Sequence, residues 1–271
     1  MVSEEGFDPA ALLEIAVAAA QRAGGLLLEG RRAGGITVAA TKSSPTDVVT
    51  AMDRAAEQVI VETLLAARPD DGLLGEEGDD RPSRSGVRWV VDPLDGTVNY
   101  LYDLPGWSVS IAAERDGAVV VGVVLVPLAG ELFTAVRGEG AWRDGRPIRC
   151  RSGVRLDRAL VGTGFGYGAA ARALQAEVLR TVLPRVRDVR RMGSAAVDLC
   201  HVACGRLDAF YERGLNPWDL AAGGLIATEA GARVGGLAGA PASADFALSA
   251  GPDLFAALHE LLAPLRPDRD T

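Results

Sequence analysis

The apolar stretch from Ala10 to Leu28 is broken by Glu14, Gln21 and Arg22, a spacing that predicts an amphipathic helix rather than a membrane span. Asp8-Pro9 offers a capping acid and a first-turn proline, and Gly34-Gly35 offers an exit, so the helix is expected from about residue 8 to about residue 31. Val48, Ala51, Ala55, Val59, Ile60, Leu64 and Leu65 recur at helical spacing and predict a second helix from about Val48 to Ala67. Strand signals follow. Leu73-Leu74 runs into Gly75-Glu76-Glu77, and Trp89-Val90-Val91 runs into Asp92-Pro93-Leu94-Asp95-Gly96-Thr97. Residues 108 to 142 read as an antiparallel meander, with Asp116-Gly117 and Asp144-Gly145 as hairpin turns. Beyond it, strands are expected near Ala159 to Thr163, Val189 to Met192 and Leu207 to Glu212. Helices are expected over Ala169 to Leu183, Ala195 to Ala203, Trp218 to Ala230 and Pro252 to Leu262. There is no repeat, low-complexity segment or linker. The pattern predicts a mixed α/β (α+β) fold: one domain of two packed halves, about 1–150 and 151–271, whose helix and sheet layers share a site.

Composition narrows the function classes. The chain has 271 residues, 48% of them hydrophobic, which is enough for a sizeable core. With 36 acidic against 28 basic residues the net charge is −8. That argues against nucleic-acid binding, which needs a basic face. A phosphate substrate stays compatible if cations supply positive charge locally. Cys150, Cys200 and Cys204 form no paired framework, and Cys200, His201 and Cys204 lie in an apolar run, so buried thiols are expected rather than zinc. The opening Met-Val-Ser-Glu-Glu lacks a basic leader region, and the expectation is a soluble, cytoplasmic protein.

The acids carry the chemistry. Asp92 and Asp95 follow an apolar strand directly, and a strand end holds side chains firmly while its loop leaves them accessible. Pro93 and Gly96 suit a tight turn that could aim two carboxylates and a backbone carbonyl at one point. Alone, this is an ordinary turn composition. Gly75-Glu76-Glu77 repeats the arrangement, however, and Asn216-Pro217-Trp218-Asp219 sets another acid at a helix start. Together they point to an oxygen-ligand site for a hard cation such as Mg²⁺. Gly96-Thr97 offers backbone amides for phosphate oxygens. No Walker-type loop is present, and Gly164-Phe165-Gly166-Tyr167-Gly168 lacks the serine of a nucleophile elbow and reads as a flexible turn.

Two long segments, Trp89 to Tyr100 and Asn216 to Gly223, resemble signatures of the inositol monophosphatase family, lithium-sensitive metal-dependent phosphatases. Gly75-Glu76-Glu77, Lys42 to Asp47 and Arg190 to Ala196 match further family segments in the same order. The resemblance implies a layered αβαβα sandwich of the inositol monophosphatase/fructose-1,6-bisphosphatase type, usually a homodimer. It implies two to three Mg²⁺ ions: Glu76, Asp92 and the Leu94 carbonyl at a first, Asp92, Asp95 and Asp219 at a second, and Glu76 at a third. The Gly96 and Thr97 amides would bind phosphate, and Glu76 and Thr97, with Asp47 behind Thr97, would orient the attacking water.

The resemblance also frames the substrate, a small phosphate monoester. Glu212 stands where inositol-preferring members place an acceptor for ring hydroxyls, and Gly193, Ser194 and Ala195 match the segment on the other side of the ring. Arg190 matches a position near the substrate, with an ion pair or dimer contact as the plainer role, and Lys42 faces the site or is a solvated charge. Inositol monophosphate leads. Histidinol phosphate is the nearest rival, with fructose 1,6-bisphosphate and adenosine 3',5'-bisphosphate behind it. A noncatalytic regulator is the alternative of another class, and the intact metal acids argue for catalysis.

Overall fold

Strand Val87–Asp95 shows how the layers arise. Its alternate side chains enter two different cores: Val90 packs on one face, Trp89 and Val91 on the other. A strand covered on both faces reads as a continuous apolar run, and this one does. In the computed structural model, which describes residues 8–34, 37–42, 48–78 and 80–269, it lies inside an eight-stranded sheet. In spatial order the strands are Arg146–Ile148, Gly140–Arg143, Glu131–Val136, Ala118–Val126, Ser108–Arg115, Val87–Asp95, Gly72–Gly75 and Asp80–Arg81. All neighbours are antiparallel except Gly72–Gly75 with Val87–Asp95, which are parallel. Two acid-bearing strand ends therefore emerge side by side.

Helices α1 (Pro9–Ala33) and α2 (Ala51–Ala67) cover one face of this sheet. Leu12, Ala16, Ala19, Ala20, Ala23 and Leu27 recur at helical spacing and meet Ala56, Ile60 and Leu64 of α2 and the sheet's Trp89, Val109 and Ile111. The apolar composition of α1 is thus a core stripe. Small alanines allow close approach, and Gly24 goes further: a Cβ there would stand 2.6 Å from Leu125. Asp8 accepts from the Ala10 amide and caps α1 as expected. Helix α2 starts later than its periodicity predicts. Val48–Thr50 is a strand paired with Val38–Thr41, and Thr50 with Asp53 forms a capping box that opens the helix at Ala51.

A short helix α3 (Thr97–Leu101) follows the acid-rich strand end. The chain then builds the second sheet, ordered Asp188–Arg190, Leu160–Thr163, Ala209–Glu212, Ala247–Ala250 and Arg233–Gly235. Helices α4 (Ala169–Val182) and α7 (Pro252–Leu262) pack on its outer face through Val178, Val182, Leu254 and Leu258. Helices α5 (Ala195–Ala203) and α6 (Pro217–Glu229) fill the space between the sheets. Their Ala196, Leu199, Leu225 and Ile226 touch Val90, Val124 and Phe133 of one sheet and Phe210 of the other. The order is α, β, α, β, α, as the family resemblance implies. Central helices that start between two sheets bring their N-termini to the strand ends, and the site forms there.

Candidate active site

A cavity of about 460 Å³ opens where strand Val87–Asp95 ends and α5 and α6 begin. Glu76, Asp92, Leu94, Asp95, Gly96 and Thr97 line one side, and Gly193, Ser194, Ala195, Glu212 and Asp219 line the other. Carboxylate oxygens of Asp92, Asp95 and Asp219 lie within 4.8 Å of one another.

Each acid is held by the backbone around it. Asp92 is 1% exposed, and its Oδ1 accepts from the Leu94 amide at 3.0 Å, so the turn through Pro93 fixes it. Asp95 Oδ2 accepts from Ser194 Oγ at 2.6 Å and from the Ala196 amide at 2.8 Å at the N-terminus of α5. Asp219 Oδ2 accepts from the Asn216 amide at 2.7 Å in the capping box of α6. In each case hydrogen bonds orient part of the carboxylate while the group still lines the cavity.

Concentrated acid without compensating charge raises the affinity for protons. Asp92 is pushed well above the usual carboxylate range, first by burial and then by Glu76, Asp95 and Asp219. Burial and Asp95 do the same to Asp219. Asp95 is pushed up to about 6 by burial, against the opposing pull of its Ser194 and Ala196 hydrogen bonds. A site that disfavours its own negative charge favours a cation. The donors are all oxygen, with no imidazole or thiol, which suits a hard divalent ion. Lys42 also faces the site, its Nζ donating to Glu76 Oε1 at 2.8 Å and to Glu77 Oε1 at 2.6 Å.

Gly96 turns the chain at φ +98°. A Cβ there would stand 2.8 Å from the Gly106 carbonyl oxygen and 3.1 Å from that of Gly193, so only glycine fits. Thr97, next in line, donates its hydroxyl to Asp53 Oδ1 at 2.8 Å, with the Leu94 carbonyl at 3.1 Å as the alternative acceptor. Asp53 is 2% exposed and is fixed in turn by the Thr50 amide and hydroxyl, both on its Oδ2.

One assignment from sequence is corrected, and another falls outside the described residues. The acid behind Thr97 is Asp53, whereas Asp47 lies outside the described residues. The Thr50–Asp53 capping pattern was the signal for it, since a capping acid has one fixed oxygen and one to offer. Arg190 does not line the cavity. It pairs with Asp188 at 2.5 Å on one side of the short strand Asp188–Arg190, while Arg191, just past the strand, faces the acids. Glu212 is pushed up to about 8 by burial, with Arg191 pulling it back. Sequence reasoning also missed Gly164. A Cβ on that residue would fall 2.0 Å from Glu212 Oε2, so the glycine-rich turn is the socket for this carboxylate.

The inositol monophosphatase family model matches residues 8–269. The chain is 50% identical over 203 residues to an inositol-1-monophosphatase SuhB of Mycobacterium tuberculosis, covering 71% of this chain and 70% of that one. It is 41% identical over 230 residues to the Nus factor SuhB of Escherichia coli, covering 84% and 86%. The crystal structure of extragenic suppressor protein suhB from Bartonella henselae superposes with a TM-score of 0.88 at 36% identity, over 93% of this chain and 98% of that one.

Proposed function

This chain belongs to the inositol monophosphatase family, and on that premise we propose that it is a Mg²⁺-dependent phosphomonoesterase acting on myo-inositol monophosphate. One observation carries the reading. Three carboxylates from two separate elements converge within 4.8 Å beside Glu76, next to the Gly96-Thr97 turn and opposite Glu212. The reading draws its support from that arrangement, which would supply ligands for a cation, donors for a phosphate and an acceptor for a polyol around one cavity.

Asp92, Asp95, Asp219, Glu76 and the Leu94 carbonyl would hold two to three Mg²⁺ ions. When bound, Mg²⁺ acidifies an attacking water and neutralises charge on the phosphate and leaving oxygens. The residues then divide the remaining work. The amides of Gly96 and Thr97 receive phosphate oxygens at the start of the turn. Thr97 gives its hydroxyl hydrogen to Asp53, which leaves its oxygen lone pairs to accept from a water and turn that water toward phosphorus. Glu76 takes a second hydrogen from the same water, so the nucleophile is oriented on two sides. Glu212 accepts from a ring hydroxyl, and the Gly193–Ala195 segment closes the opposite side of the ring. No covalent enzyme intermediate is needed: positioning and charge complementarity perform the transfer.

The regulatory reading rests on a relative's name, whereas every acid of the cation site is present in this chain, which supports catalysis. A cytoplasmic homodimer accompanies the catalytic reading. Initial rates of phosphate release from myo-inositol 1-phosphate and histidinol phosphate, with Mg²⁺ present, test the substrate. Inositol 1-phosphate should have the higher kcat/KM; a preference for histidinol phosphate would replace the polyol by an amino alcohol.

A further inference from the structure

Asp198 lines the same cavity and has no part in the chemistry above. It sits one turn into α5, is 1% exposed, and its Oδ1 has no hydrogen-bond partner among the described residues. An acid near a helix N-terminus gains only a small stabilisation from the dipole. Leaving a buried polar atom unsatisfied costs more than that gain, and more still for a charged group. Helix electrostatics alone therefore do not account for the residue. Its surroundings do.

Gly162 and Gly164 stand two residues apart, on one side of the chain as it leaves strand Leu160–Thr163. A Cβ on Gly162 would meet Asp198 Oδ1 at 3.2 Å, and one on Gly164 would meet Glu212 Oε2 at 2.0 Å. The two glycines thus make room for two carboxylates in neighbouring positions. Beyond burial itself, Glu212 is the strongest influence raising the affinity of Asp198 for protons, and Arg191 is the cation that opposes it. Glu212 is the residue assigned above to the leaving group.

We propose that Asp198 is a second acceptor of the leaving-group pocket, working beside Glu212 to select phosphate esters whose leaving group carries more than one hydrogen-bond donor. Hydroxyls of a polyol and an ammonium of an amino alcohol share that chemistry. The inference rests on the phosphatase reading and adds a specificity-determining residue to it. The proposal assigns Asp198 to the leaving group rather than to the phosphate, so its effect belongs in substrate affinity.

The test compares Asp198→Leu, which removes the acceptor while keeping the branched side-chain shape, with Asp198→Asn, which keeps one acceptor oxygen. Asp198→Leu should raise KM for myo-inositol 1-phosphate tenfold or more. The inhibition constant for inorganic phosphate should stay within about twofold, and the Tm should not fall, because an unpartnered buried carboxylate has been removed. If a hydroxyl is the donor, Asp198→Asn recovers most of the affinity. If histidinol phosphate is the better substrate and its ammonium is the donor, Asp198→Asn is as damaging as Asp198→Leu. An unchanged KM in Asp198→Leu, or a parallel loss of phosphate inhibition, overturns the proposal. Absence of phosphate release by the unsubstituted chain would instead defeat the phosphatase reading.

Discussion

The socket at Gly164 permits a test in which one methyl group is added and no polar atom is removed. In Gly164→Ala the new Cβ would lie 2.0 Å from Glu212 Oε2 and 2.1 Å from Oε1 and Cδ, whereas ordinary contact begins near 3.4 Å. The backbone of Gly164 is not in the left-handed region, so alanine itself is unstrained there. The carboxylate must retreat by about 1.4 Å, the difference between 3.4 and 2.0 Å. A hydrogen bond of ordinary length stretched by that much no longer counts as one. A hydrogen bond contributes about 0.5–1.5 kcal/mol net, so KM for myo-inositol 1-phosphate should rise roughly 2- to 13-fold. Steady-state kinetics with a thermal melt separates this from misfolding: kcat should hold within a few-fold and the Tm should move little. Glu212→Ala should produce the same defect, and the double variant should be no worse than either single one. A KM within twofold of the parent in Gly164→Ala would refute both the socket and the role given to Glu212.

Asp53→Asn should lower kcat about 10²–10⁴-fold by misdirecting the Thr97 hydroxyl, while Asp47→Asn keeps near-parental turnover; the opposite pattern restores Asp47. Gly96→Ala should lower the Tm and weaken inhibition by inorganic phosphate, since its φ of +98° and the carbonyl 2.8 Å from a new Cβ cost about 1–3 kcal/mol or more. Burial holds the Glu212 carboxyl up to about 8 from 4.5, so between those values the folded chain keeps a proton that the unfolded chain has shed. Its contribution to stability is complete below about pH 4.5 and is lost as pH rises through about 8. Chelator-treated protein should therefore melt progressively lower over that range, and Glu212→Gln should flatten the slope; an unchanged slope would count against the burial of this acid.

The features legible in sequence are those that local physics dictates. Apolar spacing found α1, α5 and α7 nearly to the residue, and the strand that ends at Asp92 and Asp95 was visible as an apolar run into acids. What was missed depends on neighbours distant in sequence. Val48 to Thr50 fit a helical pattern, yet pairing with Val38–Thr41 makes them a strand and leaves Thr50 as the cap. Asp53 caps α2 through one oxygen, and only the approach of Thr97, 44 residues away, gives its other oxygen a task. Arg190 and Arg191 differ by one residue, but the short strand turns one toward Asp188 and its end turns the other toward the cavity. Gly164 gives no sign in sequence that it faces Glu212, because nothing local records an empty Cβ position.

Mg²⁺-dependent phosphate release from myo-inositol 1-phosphate, measured for the parent chain and for Asp92→Asn, tests the carboxylate site most directly. Turnover should rise saturably with Mg²⁺ and vanish with a chelator. Asp92→Asn should fold with an unimpaired Tm and lose about 10³-fold or more in kcat even at saturating Mg²⁺. Near-parental turnover by Asp92→Asn, or turnover indifferent to the chelator, would contradict it.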